Sequence, residues 1–386
     1  MTAITHTAET NVVELAVDHA LLQLPAGVMR FHYIWLRDNC WCTECRVVQS
    51  GERRLYTADI PRDIAPNAAD LDNAHTLHIT WNEGHQSQYL ADWLTRHAYA
   101  SSAPAPAARP QLWTAATGSI PSFEHDEVVG TTAGQLAYLE AVRDYGAAVV
   151  RHTPSVAGEV ERFAQSIGHV RETAFERIHN VWHDPSGYNV AHTPLELKPH
   201  TDLPSYHWPP SIQLLHFLVN EATGGESTLT DGWAILAALR DQDPGAFDAL
   251  CQIPVTFQLF SEDEDTRATA PMVQLDSFGA VATFRYSNQL ALPINAPFDD
   301  VTRFYDAYQK LGSMVDSDEY KLAFRTESGD LLTVHSHRVL HGRLAFDPAS
   351  GARHLQDVYM EYDDLIARRR VLLGCHKPTS AAGDRP

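Results

Sequence analysis

The stretch Ser101–Pro110 (SSAPAPAARP) constrains the fold more than any other part of this chain. Proline removes a backbone donor and biases its predecessor to extended backbone, so the three prolines spaced among alanine and serine rule out a regular element there. The break predicts a small module over residues 1–100, a linker over 101–113 and a large domain over 114–386. In the module, Leu77–Leu90 alternates like two strands around a turn at Asn82–Gly84, and Ala91–Tyr99 reads as a short helix. After the linker, Thr131 or Thr132 can cap a helix through Arg143. The apolar run Ala147–Val150 reads as a strand, and Ser155 as the cap of a helix ending at Gly168. Short apolar runs then dominate: Ile212–Val219, Val281–Tyr286, Lys321–Arg325, Leu331–Val334 and His354–Tyr362, with helical stretches near Trp233–Leu239 and Val301–Leu311. Many brief strands broken by Gly, Pro and Asp predict a mainly β fold with flanking helices. The expected architecture is a double-stranded β-helix (jelly roll) behind a β-rich N-terminal domain.

Charge narrows the partners. Forty-nine acidic against 29 basic side chains give a net charge of -20, which repels phosphate backbones and anionic lipid and argues against nucleic acid or membrane as partners. No apolar run reaches the roughly 18 residues of a membrane span, and the first ten residues lack a signal-peptide layout, so a cytoplasmic location is expected. Three of the five cysteines crowd at Cys40, Cys42 and Cys45, a spacing unsuited to disulfides but suited to a metal. His85, in WNEGH, completes a Cys3His set, with His75 and His78 as rivals. Four such ligands leave no open position, so the expected ion is a structural zinc.

The second metal pattern is catalytic in kind. In KPHTDLP, His200 and Asp202 stand two apart, and on an extended strand both side chains leave the same face. By itself His-x-Asp is a weak signal, because a chain with 21 histidines meets it by chance. LLTVHSHRVLHGR offers a third ligand. His341 is preferred over His335 and His337 because Gly342 follows it and Arg353 lies 12 residues further on. Two histidines and one carboxylate on one face of an iron(II) ion leave sites open for a keto acid and O2. A buried arginine suits the distal carboxylate of 2-oxoglutarate, because guanidinium forks onto carboxylate. A zinc hydrolase on the same triad and a non-catalytic binding protein are the rival readings.

In order along the chain, WLRDNC (Trp35–Cys40), HTDLP (His200–Pro204), GGEST with DG (Gly224–Gly232), VLHGR (Val339–Arg343) and RHLQDVYMEYD (Arg353–Asp363) resemble the γ-butyrobetaine dioxygenase family of the taurine dioxygenase clan. The resemblance implies iron at His200, Asp202 and His341, and a structural zinc in the N-terminal domain. It also implies 2-oxoglutarate anchored by Arg353 with the Ser227 hydroxyl, Leu215 walling that pocket, and a homodimer. Its substrates are small quaternary ammonium zwitterions whose trimethylammonium head sits among aromatic rings. Phe175 and Tyr359 match cage positions, whereas His179 and His192 stand where the family keeps aromatics. Asn189 and Asn288 match amides at the acid end. Two histidines in place of rings suit a more highly charged acid, so the resemblance points to 2-(trimethylamino)ethylphosphonate as substrate, with γ-butyrobetaine as the alternative.

Overall fold

The computed structural model describes residues 13–99, 110–183, 190–261 and 264–374. Residues 13–99 belong to one compact unit and 110–373 to another. Among the described residues no helix is long and apolar enough to cross a membrane.

In the first unit, two three-stranded antiparallel sheets, Val13–Leu15/His19–Leu24/Gly27–His32 and Pro66–Leu71/Thr76–Trp81/Gln86–Leu90, bury a core that includes Leu22, Phe31, Leu77 and Trp81. Gly84 takes φ +89 in the turn between the last two strands, a conformation that favours glycine. The helix after them stops at Arg96, three residues earlier than the alternation suggested.

The second unit is a jelly roll. A six-stranded sheet runs in the order Ser122–Glu124, Ala147–Arg151, Leu331–His335, Ile212–Asn220, Arg353–Met360, His179–Trp182. A four-stranded sheet runs Leu197–His200, Val339–Arg343, Ser227–Asp231, Lys321–Phe324. Strand alternation sorts the side chains. Leu332 and Val334 enter the core shared with Leu229 and Val339 of the smaller sheet, while Leu331 faces the helices Thr132–Tyr145 and Glu159–Gln165. With both faces covered, Ile212–Asn220 is buried along nearly its whole length, and its buried polar residues include Gln213 and His216. Truncating an inner leucine such as Leu332 to alanine costs about 2–5 kcal/mol.

Two local expectations change. Thr131 does cap its helix, accepting from the Gly134 N–H at 2.9 Å, but Ser155 caps nothing. The next helix begins at Glu159 behind Gly158 (φ +84), whose N–H donates to Gln356 Oε1 at 2.8 Å. The last residues of the expected linker are packed: Trp113 is 3% exposed, and its indole donates to the Tyr145 carbonyl at 2.7 Å. Arg338, at the turn between Leu331–His335 and Val339–Arg343, pairs with Asp231 at 2.7 Å, both fully buried. That pair fixes the start of the strand carrying His341. Removing one partner would leave a buried charge alone, at a cost of about 3–5 kcal/mol.

Candidate active site

Antiparallel pairing sets His200 directly opposite His341 across the edge of the smaller sheet, with ring centroids 4.6 Å apart. The expectation of one strand holding both His200 and Asp202 needs correction, because the strand ends at His200 and Asp202 lies in the bend that follows. Thr201 is tied to the Tyr286 carbonyl by its N–H (2.7 Å), and Leu203 adopts φ +49, an uncommon conformation for a branched side chain. This turn swings Asp202 inward. Its Oδ1 lies 3.1 Å from His200 Nε2 and 3.9 Å from His341 Nε2. Cis donors about 2.1 Å from an octahedral ion stand about 3 Å apart, so the set fits a metal with little adjustment at His341.

The surrounding hydrogen bonds favour the same arrangement. His200 Nδ1 meets the Lys198 carbonyl at 2.9 Å, which leaves Nε2 as the free ligand atom. Asp202 Oδ2 accepts from Gln213 Nε2 (2.7 Å) and the Tyr359 hydroxyl (2.8 Å), so Oδ1 alone faces the imidazoles, as a monodentate ligand should. Burial alone would push the Asp202 carboxyl up, but the imidazoles of His341 and His200 and the Tyr359 hydroxyl outweigh it and hold it well below the usual carboxylate range. Burial pushes His341 down to about 4, with Asp202 opposing, so at neutral pH it is a neutral imidazole. His200 moves the other way: its burial is overcome by Asp202. The rival histidines serve elsewhere. His335 stacks on Tyr362 at 4.5 Å, and His337 Nε2 contacts the Pro209 carbonyl at 3.0 Å.

The triad opens onto a cavity of about 340 Å³, whose wall also carries Arg353, Ser227 and Leu215. Arg353 is 9% exposed, its Nε is buried without a partner, and the charges that act on it are those of Arg343 and Arg325. Its guanidinium lies over Phe217 and Phe346 at 5.6 and 5.7 Å, and burial pushes it down to about 9. Among the described residues no carboxylate pairs with it, and a buried cation left so is a socket for an anion. Ser227 Oγ, 3.3 Å from Thr326 Oγ1, stands on the facing sheet.

The expected substrate residues divide. Phe175, His179 and Tyr359 line the cavity. His192 does not: it sits behind His179 (ring centroids 5.9 Å), its Nδ1 at 3.1 Å from the Trp182 carbonyl. Asn288 is exposed, its Oδ1 accepting from the Tyr308 hydroxyl, while its neighbours Ser287 and Gln289 line the wall instead. Asn189 lies outside the described residues. Among the lining residues that sequence reasoning missed, two stand on the large sheet beside expected ones, Gln213 and Asp357. Parity could have found them: if Leu215 and Tyr359 face the pocket, so do the residues two before each on the same strand.

In the N-terminal unit, His85 Nε2 lies 3.4, 3.5 and 3.6 Å from the sulfurs of Cys40, Cys42 and Cys45. A tetrahedral zinc with bonds of about 2.3 Å to sulfur and about 2.0–2.1 Å to nitrogen sets these separations near 3.6 Å, so the four donors fit the ion as they stand. Glu44 approaches His85 Nδ1 at 3.4 Å, and Arg37 donates to Cys45 Sγ at 3.3 Å, a cation set beside the thiolates. Of the rivals, His78 is paired with Asp72 at 2.9 Å, and His75 is absent from the cluster.

Residues 116–359, which hold the whole triad and Arg353, match the family described as taurine catabolism dioxygenase TauD, TfdA. The chain belongs to that family. The dioxygenase depends on iron(II) and 2-oxoglutarate, and residues 22–95 match a second family, the γ-butyrobetaine hydroxylase-like N-terminal domain. It is 38% identical over 348 residues to γ-butyrobetaine dioxygenase of Pseudomonas sp. (strain AK-1), covering 89% of this chain and 91% of the relative. It is 31% identical over 368 residues to mitochondrial trimethyllysine dioxygenase of Rattus norvegicus, covering 93% and 86%. Among solved structures, an asparagine oxygenase in complex with Fe(II), 3-hydroxyasparagine and succinate overlaps 62% of this chain and 93% of its own at TM-score 0.48 and 17% identity.

Proposed function

We propose that the dioxygenase hydroxylates a methylene of a small trimethylammonium zwitterion, with iron(II) held by His200, Asp202 and His341 and 2-oxoglutarate anchored by Arg353 and Ser227. The observation that carries this reading is a three-donor face and an uncompensated buried guanidinium on the wall of one cavity. The relatives named for γ-butyrobetaine and trimethyllysine, both trimethylammonium compounds, support the substrate class. Bound iron supplies the activation of O2, coupled to conversion of 2-oxoglutarate to succinate and carbon dioxide with transfer of one oxygen atom to substrate. The protein's share is placement. Lys198 and Gln213 hold the ligand atoms in position, Leu215 and Phe217 exclude water beside the keto-acid socket, and Phe175 and Tyr359 offer ring faces to a cation that cannot donate hydrogen bonds. Cys40, Cys42, Cys45 and His85 hold a structural zinc. The homodimer implied by the resemblance belongs to the same proposal, with sedimentation velocity as its test.

Two acid ends fall within this reading. His179 and His192, as added positive charge, would favour 2-(trimethylamino)ethylphosphonate. His192 does not line the cavity and His179 faces Asp357, so that case has lost part of its footing and γ-butyrobetaine stands level with it. Succinate formation with each compound, measured at equal concentration and then in competition, decides. Preference for the phosphonate supports the first, preference for γ-butyrobetaine removes it, and turnover of neither, with trimethyllysine inert as well, removes the substrate class.

A further inference from the structure

The inner face of the strand Arg353–Met360 carries charges of opposite sign. Arg353 and Asp357 are four residues apart, so they point to the same side with about 13 Å of strand between them. Arg353 is claimed by the keto acid. Asp357 is a carboxylate that the oxygenase chemistry does not use, 3% exposed, on the wall of the substrate cavity. Its Oδ2 accepts from Gln213 Nε2 at 2.9 Å, the same nitrogen that holds Asp202, so the carboxylate stands one side chain from the proposed iron ligand. Its Oδ1 has no hydrogen-bond partner. His179 Nδ1 lies 3.3 Å away, within ion-pair reach but without hydrogen-bond alignment. Register explains the contact, because Asp357 pairs with His179 on one side and Leu215 on the other. Rings complete the surroundings: Phe175 stacks on His179 at 4.7 Å, and Tyr359 lies two residues along the same face.

A buried carboxylate among aromatic rings is a poor neighbour for an acid and a good one for a cation. We infer that Asp357 is the counter-ion of the substrate's quaternary ammonium head and sets the enzyme's selectivity for a cation at that end of the cavity. The inference deepens the proposed trimethylammonium reading and rests on it. A quaternary nitrogen gives no N–H to bond, so its attraction to Asp357 is one of charge, strengthened because the cavity wall excludes water. The neighbourhood of Gln213 and Asp202 also places the head beside the metal, so that the methylene presented for hydroxylation is one close to the nitrogen.

The test compares γ-butyrobetaine, or the phosphonate or trimethyllysine if wild type turns over only that compound, with its carbon isostere, in which a tert-butyl group replaces the trimethylammonium, on wild type, Asp357→Asn and Asp357→Glu. Inhibition constants or KM are read beside kcat and the KM for 2-oxoglutarate, with thermal unfolding to confirm folding. The charge reading expects Asp357→Asn to weaken γ-butyrobetaine about 10- to 100-fold while the neutral isostere changes about threefold or less, and Asp357→Glu to restore much of the discrimination. Equal weakening of both compounds would make Asp357 a support for His179 and Gln213 and would overturn the inference, as would unchanged discrimination in a folded variant. If wild type handles neither γ-butyrobetaine nor the phosphonate, with trimethyllysine inert as well, the substrate reading itself fails and takes this inference with it. Normal wild-type turnover with an unmoved ratio in Asp357→Asn sinks the inference alone.

Discussion

Replacing Arg353 with methionine should stabilise the ligand-free dioxygenase while abolishing its hold on 2-oxoglutarate. The guanidinium is buried against Phe217 and Phe346, and burial, aided by the positive charges of Arg343 and Arg325, pushes it from its ordinary value down to about 9. That displacement corresponds to about 5 kcal/mol of uncompensated charge. A base whose folded pKa is depressed destabilises the fold fully below that pKa, here about 9, and is relieved only as pH rises above it toward the ordinary guanidinium range. The cost is therefore present across the neutral range. Methionine is apolar, flexible and of similar reach, so it can keep the contacts with both rings and remove the charge. A gain of about 1–4 kcal/mol is expected for the ligand-free protein. Loss of a buried, forked charge pair should weaken 2-oxoglutarate by about 3–5 kcal/mol, or roughly 100- to 1000-fold or more. Thermal unfolding under anaerobic conditions, with and without 2-oxoglutarate, reads both effects, because a ligand that binds only the folded state raises Tm. Wild type should start lower and rise with the keto acid; the variant should start higher and stay there. A variant that is less stable without ligand and still stabilised by 2-oxoglutarate would refute the socket.

Zinc and iron should behave as separate ions. Purified protein should retain a zinc that Cys45→Ser removes, and that variant should unfold at lower temperature, read by metal analysis and calorimetry; unchanged zinc content would reassign the site. Iron affinity should follow one proton near neutral pH. His200 is raised above its ordinary value, so a metal must displace its proton, while His341, pushed down to about 4, already presents a free nitrogen. Apparent iron affinity should thus fall about tenfold per pH unit as pH drops below the His200 pKa, with a second proton entering only near pH 4. A two-proton slope at pH 6–7, by titration in paired buffers, would contradict the assignment.

How much of this was legible in the sequence varies with the kind of signal. The cysteine cluster and the jelly-roll class followed from spacing and from the run of short strands, because both are local properties, whereas His85, 40 residues beyond Cys45, was one of three candidate histidines. The triad was legible only once its third member was chosen, and the features cited for His341, a following glycine and a downstream arginine, are both seen: a Cβ on Gly342 would lie 2.5 Å from the Leu197 carbonyl. What failed was geometry that depends on partners distant in sequence. The turn at Asp202 is held by Tyr286, and Asn288 is drawn away by Tyr308 on the helix Phe298–Val315. Asp357 shares a face with Tyr359 by strand parity, but an acidic residue on an apolar strand carries no sequence signal that separates a pocket carboxylate from a surface one.

The central claim is that His200, Asp202 and His341 converge on one iron(II) with positions left open for a keto acid. Anaerobic addition of 2-oxoglutarate to the iron-loaded protein, followed by visible absorption, tests it most directly. A weak charge-transfer band should appear, saturate at one keto acid per chain and vanish in His341→Ala. A colourless titration in fully iron-loaded wild type, or an undiminished band in that variant, would contradict it.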